Sequence, residues 1–169
     1  PNNEGSMFPQ ELAAGVDNMI GGTPGHGTRM QGTICGWAPK AAGGAFYGVA
    51  PKVPLVPVRI TDSVWINHAQ REFRQAVTHL VQSAKVNVIN VSLGTFASVV
   101  VGAMRDAVNE AYDAGVILVC AAGNYVNDVV APARLSRTLA VAGVNQDLTW
   151  WSGSSHGPEA DFSAPAANL

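Results

Sequence analysis

Charge is scarce in this chain. Asp, Glu, Lys and Arg make up 13% of its 169 residues, with a formal net charge of −2; about 25% is usual. No cluster of Lys or Arg occurs, so there is no electrostatic footprint for nucleic acid. No apolar run approaches the ~18 residues that a membrane-crossing helix needs. No basic stretch followed by an apolar one opens the chain as a secretory leader would. The opening, Pro1-Asn2-Asn3-Glu4-Gly5, reads as that of a cut piece, so the missing leader says little about location. Cysteine is nearly absent as well. Cys35 and Cys120 have no third ligand beside them, which argues against a metal site. They read as two buried free thiols, because free Cys behaves as a small core residue, while spacing alone places no disulfide.

What is present points to a packed body. The chain is 47% hydrophobic and carries 18 glycines, enough to bury a full core as a single domain over residues 1–169. Residues 1–25 read as irregular. A helix is predicted over His26 to Cys35, ending near Gly36. Gly43 to Pro51 reads as loop with a short strand around Phe46-Tyr47, and Leu55 to Ile60 as a strand that Pro54 and Pro57 push to an edge. Phe73, Ala76, Val77, Leu80, Val81 and Ala84 recur at helical spacing, as do Val100, Ala103, Met104, Ala107, Val108 and Ala111. Ser98 is a fair N-cap for the second helix and Gly115 its C-terminal glycine. Val86 to Leu93, Val116 to Ala121 and Leu139 to Ala142 are short β-branched runs that read as strands buried on both faces. Alternating strands and helices predict an α/β fold with a parallel sheet and crossover helices.

In such a sheet, chemistry gathers at the C-terminal strand ends. Ser92-Leu93-Gly94 and Ala121-Ala122-Gly123-Asn124 both stand there. Ser92 to Gly94 offers a backbone edge on which an extended peptide could pair. The small residues Ala121, Ala122 and Gly123 leave space for a ligand, and the Asn124 amide can donate to a developing oxyanion. Asn90, polar within an apolar strand, needs a hydrogen-bond partner. In Gly25-His26-Gly27-Thr28 the glycines clear both sides of an imidazole that opens a helix, as a general base requires. His68, His79 and His156 lack that setting. A nucleotide-binding α/β domain, suggested by Gly21 to Gly27, lacks a preceding strand and a Gly-Lys-Ser/Thr for phosphate.

Together these segments resemble the subtilisin-like serine peptidases, the subtilases. His-Gly-Thr at His26, Gly-Val-Ala-Pro at Gly48, Asn-Val-Ser-Leu-Gly at Asn90 and Ala-Ala-Gly-Asn at Ala121 follow the family's order. Ser152 to Pro165 resembles its Phe-Ser-x-x-Gly…Asp-x-x-Ala-Pro-Gly stretch, with Trp151 in the aromatic place and Ala166 where Gly is usual. The resemblance implies a three-layer α/β/α sandwich with a mainly parallel, doubly wound sheet. It implies that His26 is the base of a Ser-His-Asp triad and Asn124 the oxyanion-hole side chain. Ser92, Leu93 and Gly94 would pair with a polypeptide substrate, and Ala121, Ala122 and Gly123 would line the pocket for the residue before the cut bond. Calcium and an extracellular location follow from the resemblance only. No cofactor is otherwise indicated, since Asp128 and Asp147 stand isolated.

The match is incomplete at both ends. Asp17 does not fit the family's triad Asp. Ser136, Ser152, Ser154, Ser155 and Ser163 all lack the Gly-Thr-Ser-Met-Ala setting of its nucleophile. The expectation is the middle of a catalytic domain, inactive alone, with the Asp and Ser supplied by further segments or a partner chain. The alternative is a non-catalytic relative that binds peptides without cutting them.

Overall fold

A computed structural model describes residues 25–36, 48–124 and 127–166. The expectations for residues 1–24, including Asp17, and for Phe46-Tyr47 lie outside them. The chain forms two compact units, residues 1–63 and 64–169.

In the first unit, helix α1 spans His26–Cys35, as its sequence predicts. Gly25 holds a left-handed φ of 70° ahead of it, a conformation that costs glycine little. The Gly25 carbonyl accepts from Arg29 N at 3.0 Å and begins the helical ladder. The Gly48-Val49-Ala50 turn closes on the other end of α1. Gly48 N donates to Gly36 O, Val49 N to Thr33 O and Ala50 N to Ile34 O. A Cβ on Gly48 would stand 2.4 Å from Gly36 N, so the turn needs glycine there. The strand expected over Leu55 to Ile60 does not form, and residues 53–61 adopt no regular element. Pro54 and Pro57 withhold two of the N–H groups a ladder would use.

The second unit carries helix α2 (Gln70–Gln82), strand β1 (Val88–Val91), helix α3 (Gly102–Asp113), and strands β2 (Ile117–Ala121), β3 (Leu139–Val144) and β4 (Phe162–Pro165). The strands form one parallel sheet in the order β1-β2-β3-β4. α2 packs on α3, and α3 on β2. The buried faces of the helices are those predicted, with Phe73, Ala76, Val77 and Leu80 on one and Met104, Ala107, Val108 and Ala111 on the other. The α/β class and parallel sheet are as expected.

Two details differ. Helix α3 begins at Gly102 with Val101 as its cap residue, and Ser98 falls in a short 3₁₀ turn, Ala97–Val99. The buried Gln70 side chain explains the delay. Its Nε2 donates to Val99 O at 2.8 Å and its Oε1 accepts from Val101 N at 2.9 Å, which holds Val100 and Val101 extended. Gly115, with φ 75°, does end the helix as predicted. β1, β2 and the start of β3 also alternate in burial instead of being buried on both sides, and β4 is exposed along its length. Ile89, Val91, Leu118, Cys120, Ala140 and Ala142 are buried, whereas Val88, Ile117, Leu139 and Phe162 are exposed. Helix α2 precedes β1, α3 forms the β1–β2 crossover, and from β2 to β4 the described connections are loops.

Candidate active site

The register of the sheet brings two of the motifs together. Val91 on β1 stands beside Cys120 on β2, so Ser92 and Ala121 leave neighbouring parallel strands side by side, at a spacing of about 4.8 Å. Both segments therefore emerge from the same C-terminal edge. Asn90 finds the partner it needs, its Nδ2 donating to Ser92 Oγ at 3.0 Å.

Beyond β2 the chain turns sharply. Gly123 adopts φ 105°, in the region that disfavours side chains. A Cβ there would lie 2.8 Å from Val130 Cγ1 and 3.2 Å from Ser155 Oγ. One on Gly94 would lie 2.5 Å from Val130 Cγ2. Val130, buried, thus packs against the glycines of both motifs. The space expected from small residues at Ala122 and Gly123 is filled on this side by protein, with Val130 N also donating to Ala122 O at 2.9 Å. Ala121 is the exposed member of the trio and Ala122 is buried.

Asn124 is exposed, and its Nδ2 donates to Gly153 O at 2.8 Å. One residue back, Gly123 O accepts from Ser155 N at 2.8 Å. The loop after β3 is thereby fastened to the turn that carries the carboxamide. Sequence reasoning missed these partners, which lie about thirty residues downstream in a loop with no periodic signal. A carboxamide nitrogen carries two N–H groups, so the Gly153 bond leaves a second donor on Asn124.

Two of the serines weighed as nucleophiles, Ser154 and Ser155, are buried in structural surroundings. Ser154 Oγ accepts from Gly143 N at 2.7 Å and donates to Ser155 O at 2.8 Å, and Ser155 is fully buried. Burial pushes the Cys120 thiol up to about 12, with the Thr138 side chain pulling the other way. A thiol that stays protonated does not act as a nucleophile. Both cysteines are free. Among the described residues, no three His, Cys, Asp or Glu side chains gather as a metal ion would require, so no step is assigned to calcium. Nor, among the described residues, is any helix long and apolar enough to cross a membrane.

His26 opens α1 in the first unit, half-buried in the first turn behind Gly25. The helix start that the sequence predicts for it is present.

The model of the subtilase family matches residues 5–169. The chain is 36% identical over 171 residues to the thermostable alkaline protease of Halalkalibacterium halodurans, covering 97% of this chain and 45% of that protein. It is 34% identical over 147 residues to the minor extracellular protease Epr of Bacillus subtilis, covering 86% and 22%. Among solved structures, a mutant of the protease domain of PatA superposes with a TM-score of 0.73 at 26% identity, over 89% of this chain and 55% of that one. The chain spans less than half the length of these two curated relatives. Its fold is the subtilisin-like α/β sandwich, and by the family match over nearly its whole length the chain belongs to the subtilase family.

Proposed function

We propose that this chain is part of a serine endopeptidase that hydrolyses peptide bonds by a Ser-His-Asp mechanism. The observation that carries this reading is the side-by-side exit of Ser92 and Ala121 from β1 and β2, with the Asn124 carboxamide anchored just beyond. A peptide paired along Ser92, Leu93 and Gly94 would run beside Ala121, Ala122 and Gly123, and its carbonyl oxygen would come within reach of the second Asn124 N–H. In this reading His26 takes the proton from a serine hydroxyl as that oxygen attacks the carbonyl carbon. It then returns the proton to the leaving amine. Asn124 stabilises the negative charge that forms on the carbonyl oxygen between those steps. The substrate is a polypeptide.

The serines of the described second unit are spoken for or lack a nucleophile's setting, so the chain by itself is proposed to be inactive. A fluorophosphonate probe tests both parts. The isolated chain should take up no stoichiometric label at a defined serine; such labelling would overturn its inactivity. A longer protein containing this chain should be labelled at one serine, and His26→Ala should abolish that. An unlabelled longer protein that still binds peptide would instead favour the non-catalytic alternative.

A further inference from the structure

Both backbone hydrogen-bonding groups of Gly94 are already paired, on one side, within the second unit. Its N–H donates to Val64 O at 3.0 Å, and its carbonyl accepts from Ile66 N at 3.0 Å. Those two bonds make Trp65 and Gly94 parallel bridge partners. On the opposite side, Thr95 and Ala131 exchange both of their backbone bonds, each at 2.8 Å. The segment is held by side chains as well. The Trp65 indole packs against the Phe96 ring at a tilt of 31° with ring centroids 5.0 Å apart, Ile66 is fully buried, and the Thr95 hydroxyl donates to Asn67 Oδ1.

An extended peptide adding to a strand edge uses the backbone N–H and carbonyl of alternate residues. Gly94 is the residue of the Ser92–Gly94 edge whose two groups both go to Val64–Ile66. We propose that Val64–Ile66 is an internal strand standing in for a peptide on that edge, so that an incoming chain pairs with Gly94 only after this segment is released. The inference rests on the reading that Ser92 to Gly94 pairs with a peptide. The exchange is close to balanced in backbone bonds, because the peptide restores the two that are broken. What the peptide does not restore is the Trp65–Phe96 ring contact. The aromatic pair therefore sets how readily the edge opens, while Ile66 and Asn67 anchor the segment at its far end.

Hydrogen exchange of the backbone amides in the 169-residue chain tests this, with an uncharged, N-acetylated hexapeptide amide of alanine and valine as the probe. In the free chain the Gly94 and Ile66 amides should be protected together. Trp65→Ala should speed exchange at both by about three- to tenfold and tighten peptide binding by a similar factor. The Thr95 amide, bonded to Ala131 O, should be unchanged and reports that the fold is intact. Phe96→Ala, which removes the other ring, should act the same way should Trp65→Ala fail to fold. Saturating peptide should speed exchange at Ile66, whose acceptor is taken, yet leave Gly94 protected. Peptide binding that perturbs Ser92 and Leu93 but leaves Ile66 protected, with equal affinity for wild type and variants, would overturn the internal-strand proposal and spare the peptide reading. Absence of peptide binding in a variant whose Gly94 amide has become fast would overturn the peptide reading and, with it, this proposal.

Discussion

The carboxamide of Asn124 is oriented by a backbone carbonyl, that of Gly153, 2.8 Å from its Nδ2. One N–H of the amide fixes its plane, and on the proposed reading the other meets the charge that forms on the carbonyl oxygen. Asn124→Leu keeps the approximate volume and removes both donors. In an active protein containing this chain, the proposed role predicts that kcat falls by about 10²–10³ with little change in KM, the size that loss of an oxyanion-hole donor takes in subtilisin. Steady-state kinetics on a chromogenic peptide measures it. A rise confined to KM would mean that Asn124 binds substrate without acting on the transition state.

Val130 ties the two substrate-edge motifs through their glycines. Gly94→Ala places a Cβ 2.5 Å from Val130 Cγ2 and should destabilise the chain by about 1–3 kcal/mol through overpacking. Val130→Ala alone should cost a similar amount by opening a cavity. The double variant should recover part of both losses, because the new methyl occupies the space that the deleted ones leave. Urea unfolding of the three variants gives the coupling. Gly123→Ala should not be rescued as well, since its φ of 105° is itself a cost for alanine.

Most of the second unit was legible because periodicity reports burial, and burial made these elements. The faces of α2 and α3 and the positions of β1, β2 and β3 lie where the apolar spacing puts them, although those strands bury one face more than the other and not both. The failures share a cause. Nothing local in Leu55 to Ile60 shows whether a neighbouring strand is there to pair with it, and two prolines weigh against pairing. The late start of α3 depends on Gln70, some thirty residues upstream. At the site, the positions of Ser92 and Ala121 follow from strand order and could be read. The Gly153 partner of Asn124 and the Val64–Ile66 pairing with Gly94 are three-dimensional accidents of loops, which carry no period to read.

Gln70 is a buried polar residue with three partners. Besides Val99 O and Val101 N, its Nε2 reaches Asn67 O at 3.3 Å. Gln70→Leu would keep the volume and leave those backbone groups without their side-chain partner, at a cost of about 1–3 kcal/mol. The loss should be local first. Amide exchange should rise over Val99 to Met104, and the start of α3 should fray, before global unfolding is affected. Equal protection across that stretch in the variant would show that the 3₁₀ turn holds itself.

The Cys120 thiol gives the chain a stability that is lost at high pH. Burial lifts it from an ordinary value of 9.0 to about 12 in the folded protein. Below pH 9 the thiol is protonated in both states and contributes no slope. Between about 9 and 12 the unfolded chain has lost a proton that the folded chain keeps. The unfolded state then binds fewer protons, and stability must fall as pH rises. The slope should be on the order of 1 kcal/mol per pH unit and should level off near 12. Comparing wild type with Cys120→Ala by urea unfolding from pH 8 to 11 isolates this term from the other titrating groups. The variant should be less stable at pH 8, having lost a packed side chain, yet decline less steeply, so that the two curves converge as pH rises. Iodoacetamide offers an independent check. Cys120 should resist alkylation in the folded chain and become reactive with unfolding, because its thiolate is reached only by exposing β2. Parallel stability curves, or rapid native-state alkylation at Cys120, would show that the thiol is not held as a buried neutral group.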